Sequence, residues 1–155
     1  MLESRADHDG HRWSPSTATL PSPRPFTLSD ARNRELLREF IDHSAKGLAD
    51  CCPTYIDLYR REIPAMAYKS EGLLQAVLAL SAVQLSLRQK NEKIMMEAVG
   101  HYHAALSAHV RAVQDPESVH KDFLVATSII LAYYEVGRLL KIFSISHLLI
   151  SPRVR

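Results

Sequence analysis

The sequence predicts an all-α fold, an antiparallel array of about five helices behind a disordered N-terminal leader. Three observations lead there. Apolar residues between Asp30 and Gly137 recur at steps of three and four, as on helix faces. No block of alternating apolar and polar residues interrupts that stretch. Five glycines in 155 residues are too few for an all-β meander or a glycine-rich phosphate loop. A chain of this length holds one domain with a real core, and is too short for two.

The leader comes first. "SPSTATLPSPRPF" packs four Pro, three Ser and two Thr into thirteen residues. Such a run buries too little apolar surface to offset its ordering entropy, so residues 1–28 are read as disordered. Trp13, the one tryptophan, lies within it as a loosely packed aromatic, with a short docking motif as the sharper alternative.

Ser29 or Asp30 is placed to cap a first helix over 31–48, with Leu37, Phe40, Ile41, Ser44 and Leu48 on one stripe. Gly47 and Asp50 loosen its end, and Cys52-Pro53 marks the break. A second helix is expected from Thr54 to Ile63, with Tyr55, Leu58, Tyr59 and Ile63 in register. It should stop or kink at Pro64, which lacks a backbone donor. Ser70 then caps a third helix, "EGLLQAVLALSAVQLSLRQ", Glu71 to Gln89.

That third helix carries no charge from Gly72 to Leu87. Sixteen residues fall short of the roughly 20 that cross a bilayer, and Gln75, Ser81, Gln84 and Ser86 interrupt them. A helix apolar nearly all round, yet too short and polar to span, belongs at the centre of a helical domain. No membrane role is expected. A fourth helix over 92–114 is amphipathic through Met95, Val99, Tyr102, Leu106, Val110 and Val113, and ends at Asp115-Pro116. A fifth starts near Glu117 and is again uncharged from Phe123 to Tyr134.

Charge and cysteine content exclude whole classes. The formal net charge is +2, and residues 138–155 carry Arg138, Lys141, Arg153 and Arg155 without an acid, so the first 137 residues sum to −2. That is no footprint for nucleic acid. Cys51 and Cys52 are adjacent, which disfavours a bridge between them, and no second pair exists to build a disulfide framework. "MLESRADHDGHRW" has no apolar core, so no secretory signal is read.

No catalytic, cofactor-binding, metal-binding or DNA-binding residue is assigned. His101 and His103 are two apart, on nearly opposite faces of a helix, and His109 is too far from either to share one small ion. Glu35, Glu39 and Asp42 alternate with Arg34 and Arg38, as a solvated helix face does. His120-Lys121-Asp122 reads as an opening helical turn. "AVGHYHAAL" from Ala98 matches one tetratricopeptide helix, but the repeat about 34 residues away that a solenoid requires is absent. An enzyme is not expected.

Taken in order, "EIPAMAYKSEGLLQAVLALSAVQLSL", "HYHAALSAHVRAVQDP" and "DFLVATSIILAYYE" resemble the fungal-specific transcription factor domain, the helical regulatory region of zinc-cluster regulators. The landmarks are Pro64-Ala65, the small-residue helix Leu73 to Leu87, Tyr102 to Pro116, and Leu124 to Glu135. The resemblance implies a nuclear role in transcription regulation, exercised on protein partners or on a fuller regulator. The six-cysteine zinc cluster that usually accompanies this family is missing here, so no sequence-specific DNA binding by this chain is expected. Residues 29–137 are read as the N-terminal part of such a domain, and 138–155 as a divergent basic tail. As the front of a larger helical domain, Leu73–Leu87 and Phe123–Tyr134 would lack some neighbours and promote self-association. The alternative is a helical protein-interaction scaffold with no transcriptional role.

Circular dichroism tests the metal-free helical reading. The spectrum should be mainly helical and unchanged by EDTA, because structural zinc would contribute folding energy that a chelator removes.

Overall fold

The computed structural model describes residues 31–50, 53–115 and 121–150, with side chains as far as Leu139. The leader, Trp13, the cap at Ser29 or Asp30, Cys51, Cys52, Glu117 and His120 fall outside those residues. Five helices and no strand are present among the described residues. They are α1 (31–49), α2 (53–67), α3 (Glu71–Gln89), α4 (Glu92–Gln114) and α5 (Lys121–Ile150).

Helix α3 is the centre, and each of the other four packs on it. Thirteen of its residues are buried, from Leu73 round to Ser86 on every side. Ser70 caps it as expected, its Oγ accepting from the Leu73 amide at 3.4 Å. Two of the polar interruptions are satisfied, while Ser86 Oγ is buried without a partner among the described residues. Ser81 Oγ donates to the Val77 carbonyl at 2.9 Å, and Gln75 Oε1 accepts from His101 Nδ1 at 2.7 Å.

A two-residue turn folds α4 back antiparallel along α3. Lys90 adopts the left-handed region at φ 52, and the Asn91 amide returns to the Ser86 carbonyl at 3.2 Å. Asn91 Oδ1 then accepts from the Lys93 amide at 3.0 Å, opening α4. At the far end of the pair a Cβ on Gly72 would meet Ala108 Cβ at 3.2 Å, so glycine sets how closely the two helices approach.

This close approach corrects the stripe expected on α4. The residues buried there are Ile94, Met95, Ala98 and Ala105, whereas Leu106, Val110 and Val113 are exposed. Alanines make up half of that buried set, because bulky side chains at the closest approach would hold the backbones apart. The expectation had followed the large apolar residues instead.

Both α1 and α2 contain a π-helical stretch. In α1 it is Phe40–Ser44, where the Ala45 amide bonds back to the Phe40 carbonyl, five residues away. In α2 it is Leu58–Glu62, where the Ile63 amide reaches Leu58 in the same way. The second stretch explains why α2 does not end at Pro64. The missing donor of Pro64 falls where the hydrogen-bond ladder has already slipped by one residue, and helix continues to Ala67. Arg60 Nε, from the second stretch, donates to the Ile41 carbonyl in the first at 3.2 Å and pins the two helices together. On α2, Ile63, Pro64 and Ala67 are buried, while Tyr55 and Leu58 stay exposed rather than joining the expected buried face.

Helix α5 buries Ala126, Thr127, Ile130, Leu131 and Tyr134 against the others. It runs through Gly137, which is buried near Val83, and on through residue 138 without a break. The apolar surface expected to lack neighbours lies on this helix alone, since α3 is covered on all sides.

Leu78 is completely buried at the middle of α3. Leu78→Ala should cost about 2–5 kcal/mol, the transfer free energy of the lost methyls plus an unfilled cavity. Urea unfolding should show a lower midpoint at unchanged slope.

Candidate functional site

The structure scatters the residues that sequence inspection singles out for chemistry. His101 donates from Nδ1 to Gln75 at 2.7 Å, and the exposed His103 ring lies edge-on to Tyr102 at 5.7 Å. His109 faces α5 instead, its Nε2 lying 3.1 Å from Ser128 Oγ. Ser128 donates its own proton to the Leu124 carbonyl at 2.9 Å, so its oxygen accepts from His109 Nε2–H. His109 Nδ1 is then an acceptor, and it is buried without a partner among the described residues. No group of three metal-ligating side chains gathers among those residues. Lys121 and Asp122 sit exposed in the first turn of α5.

Glu35 and Asp42 of α1 lie on the solvated face expected of them, and Glu39 departs from it. Glu39 is only 12% exposed and pairs with Arg88 of α3, with His43 nearby at 3.3 Å. Arg32 forks onto Glu97 of α4, Nε to Oε1 at 2.9 Å and Nη2 to Oε2 at 2.7 Å, and also reaches Glu35 at 2.8 Å. These carboxylates, Glu97 first, hold the Arg32 guanidinium charged well above its ordinary range. Asp42 remains exposed. These residues tie α1 to the α3–α4 pair; they do not form a paired-carboxylate catalytic site.

What stands out is a face. Helix α5 presents Val125, Ile129, Ala132, Val136 and Leu139 to solvent, with Val125 58% and Val136 54% exposed. The opposite face of the same helix carries the fully buried Tyr134 and Ile130. A helix apolar on both sides is suited to lie between two layers, and one side of α5 is bare. Against α2 this face forms one wall of a groove of about 370 Å³, lined by Leu58, Tyr59, Ile63 and Met66 on the other wall. Its charged lining residues, Glu62 and Asp122, are both acidic. A second, more polar cleft of about 340 Å³ lies where α3 begins, between Ser70, Gly72, His109 and Thr127.

Sequence reasoning expected Phe123–Tyr134 to leave apolar surface uncovered but did not resolve which of its residues face out. The signal lay in the spacing of the exposed residues, four then three, which is masked when the intervening positions are apolar too.

Behind the face, Tyr102 and Tyr134 stack at 4.5 Å with their planes 14° apart. Hydrogen bonding to Glu135 chiefly, with burial, raises the Tyr102 hydroxyl above its ordinary value of 10.0. Burial chiefly raises that of Tyr134, whose hydroxyl has no partner among the described residues. By linkage, the stability these neutral hydroxyls contribute is intact below the ordinary tyrosine value and lost as pH rises through the folded one. Absorbance titration of tyrosinate, with Tyr102→Phe to assign the signal, should show late ionisation. Glu135→Gln should bring Tyr102 back toward the ordinary value.

Among the described residues no helix is long and apolar enough to cross a membrane. The family model for the fungal-specific transcription factor domain matches residues 35–144, from the first buried turn of α1 into the last third of α5. A Zn(2)-C6 fungal-type transcription factor of Gibberella zeae is 30% identical over 101 residues. That stretch covers 61% of this chain but 20% of the relative's length, so the similarity spans about a fifth of that protein. No solved structure matches. The family pattern thus runs through all five helices, and the chain belongs to the fungal-specific transcription factor domain family, a family of transcription factor domains rather than enzymes.

Proposed function

We propose that this protein regulates transcription by RNA polymerase II in the nucleus, and that it acts by binding proteins through its helical array rather than by reading DNA. The family match over 35–144 carries this reading. The bare apolar face of α5 supports the protein-binding half of it, because contiguous exposed apolar surface marks interaction sites.

The basic residues argue against a DNA-reading role. Sequence-specific binding needs side chains presented to base edges and phosphate contacts that fix their register. Arg32, Arg88, Arg61 and Arg138 are each within ion-pair distance of a carboxylate, and Arg60 is engaged with a backbone carbonyl. Lys90 and Lys93 flank Glu92. The basic residues of 138–155 supply at most a weak, salt-sensitive contact.

Two experiments test the proposal. The full chain fused to an unrelated DNA-binding domain should change expression of a reporter downstream of that domain's sites severalfold. No change in either direction would favour a scaffold without a transcriptional role. In a mobility-shift assay at physiological salt, the unfused chain should retain no duplex selectively against scrambled competitor. Selective retention would show a base-reading surface in the helices.

A further inference from the structure

The groove between α2 and α5 has walls of one character and charges of a single sign. Leu58, Met66, Val125 and Ile129 give it apolar walls, with Val125 58% and Ile129 41% exposed. Glu62 and Asp122 are its charged lining residues, and neither has an ion-pair partner among the described residues. The cations next to them in the sequence, Arg61 and Lys121, do not line it, and Arg61 reaches back to Asp57 at 3.9 Å. At about 370 Å³ the groove is at the lower end of cavities that hold small ligands, with room for one large side chain rather than a helix. An occupant that fits carries an apolar anchor beside a cation.

We propose that this groove receives the chain's own Arg12-Trp13 segment, with the indole between the apolar walls and the guanidinium beside Glu62 and Asp122. The sequence offers Trp13 as a docking motif, and it is the one tryptophan present. Tryptophan and arginine are the residues most enriched among those that carry binding energy, and here they are adjacent. Residues 10–29 carry Arg12 and Arg24 and no acid, a charge opposite to that of the groove.

Reach selects the segment. Trp13 stands eighteen positions before Ala31, where α1 begins, and a tether of that length spans up to about 60 Å. A domain of this size has a radius of gyration of only about 14 Å, so its far side is within reach. Phe26, five positions before Ala31, reaches about 17 Å at most. The start of α1 is tied through Arg32 to Glu97 of α4, not to either helix of the groove. The longer tether gives Trp13 an effective concentration on the order of a millimolar. A contact too weak to hold a separate peptide therefore still keeps the groove filled. This inference does not depend on the transcriptional role.

As the one tryptophan, Trp13 reports its own position. In the full chain at low micromolar concentration its emission should lie to the blue of that of a synthetic peptide of residues 8–20. Acrylamide should quench it severalfold less than it quenches the peptide. Ile129→Lys puts a cation between the walls and should return quenching to the peptide's level. Val136→Lys, on the same helix but outside the groove, should not. Arg12→Glu should raise quenching, and adding Glu62→Lys should lower it again, a rescue that a change of fold does not produce. Ile129, Val136 and Glu62 are exposed, so circular dichroism of each variant should match the parent. Quenching of the parent equal to that of the peptide would overturn the proposal. So would equal effects of Ile129→Lys and Val136→Lys, or protection that appears only as concentration rises, which assigns the groove to another copy. Should Ile129→Lys disturb the helices, the parent's own quenching and the Arg12→Glu rescue decide, since Arg12 precedes every described helix.

Discussion

The arrangement depends on the need to cover α3 on every side. A helix with no charge from Gly72 to Leu87 has no face to give to water, so α1, α2, α4 and α5 must all lie against it. The cost of leaving any quadrant open is large, because fully burying a leucine or valine side chain stabilises by about 1.5–3 kcal/mol. The neighbours' features follow from that demand. Helix α4 uses Ala98 and Ala105 where it meets α3, and Gly72 lets Ala108 close in. Helix α1 is held down by Arg32–Glu97 and Glu39–Arg88 at the rim, where exposure limits what each pair adds. Burial drives the assembly; the ion pairs fix the orientation of its first helix.

How much of this was legible depended on whether the signal was local. The centrality of α3 was readable because an uncharged helix advertises itself without reference to anything else in the chain. The Ser70 cap and the end at Asp115 rest on contacts within a few residues and were equally readable. The family resemblance rested on the order of such local landmarks. The pairing of Glu39 with Arg88 spans 49 positions, and alternating charges on α1 gave no hint that one of them crosses to α3. The π-helical stretches were hidden too, since periodicity is read at one fixed step and these stretches change it. Their effect was to carry α2 through Pro64, where a fixed step demands a stop.

The candidate face was concealed by its own composition. On an amphipathic helix the polar residues outline the apolar stripe. On α5 the buried stripe and the exposed one leave little polar surface between them, and the spacing of one is lost in the other. Only when burial separates Ile130 and Tyr134 from Ile129 and Val136 does the four–three step become visible. The same duality distinguishes α5 from α3: both are uncharged over long runs, yet one is enclosed and the other has a bare side.

The turn at Lys90 and Asn91 bears on how the chain acquires its structure. It joins the two helices with the most extensive mutual packing through only two residues, so little loop entropy opposes their meeting. Such local pairing is fast to form compared with contacts between distant segments. The α3–α4 hairpin thus forms from local contacts, and it displays the surface on which α5 settles. The hairpin is a ready template for α5, which has one apolar side matched to that surface and the other uncommitted.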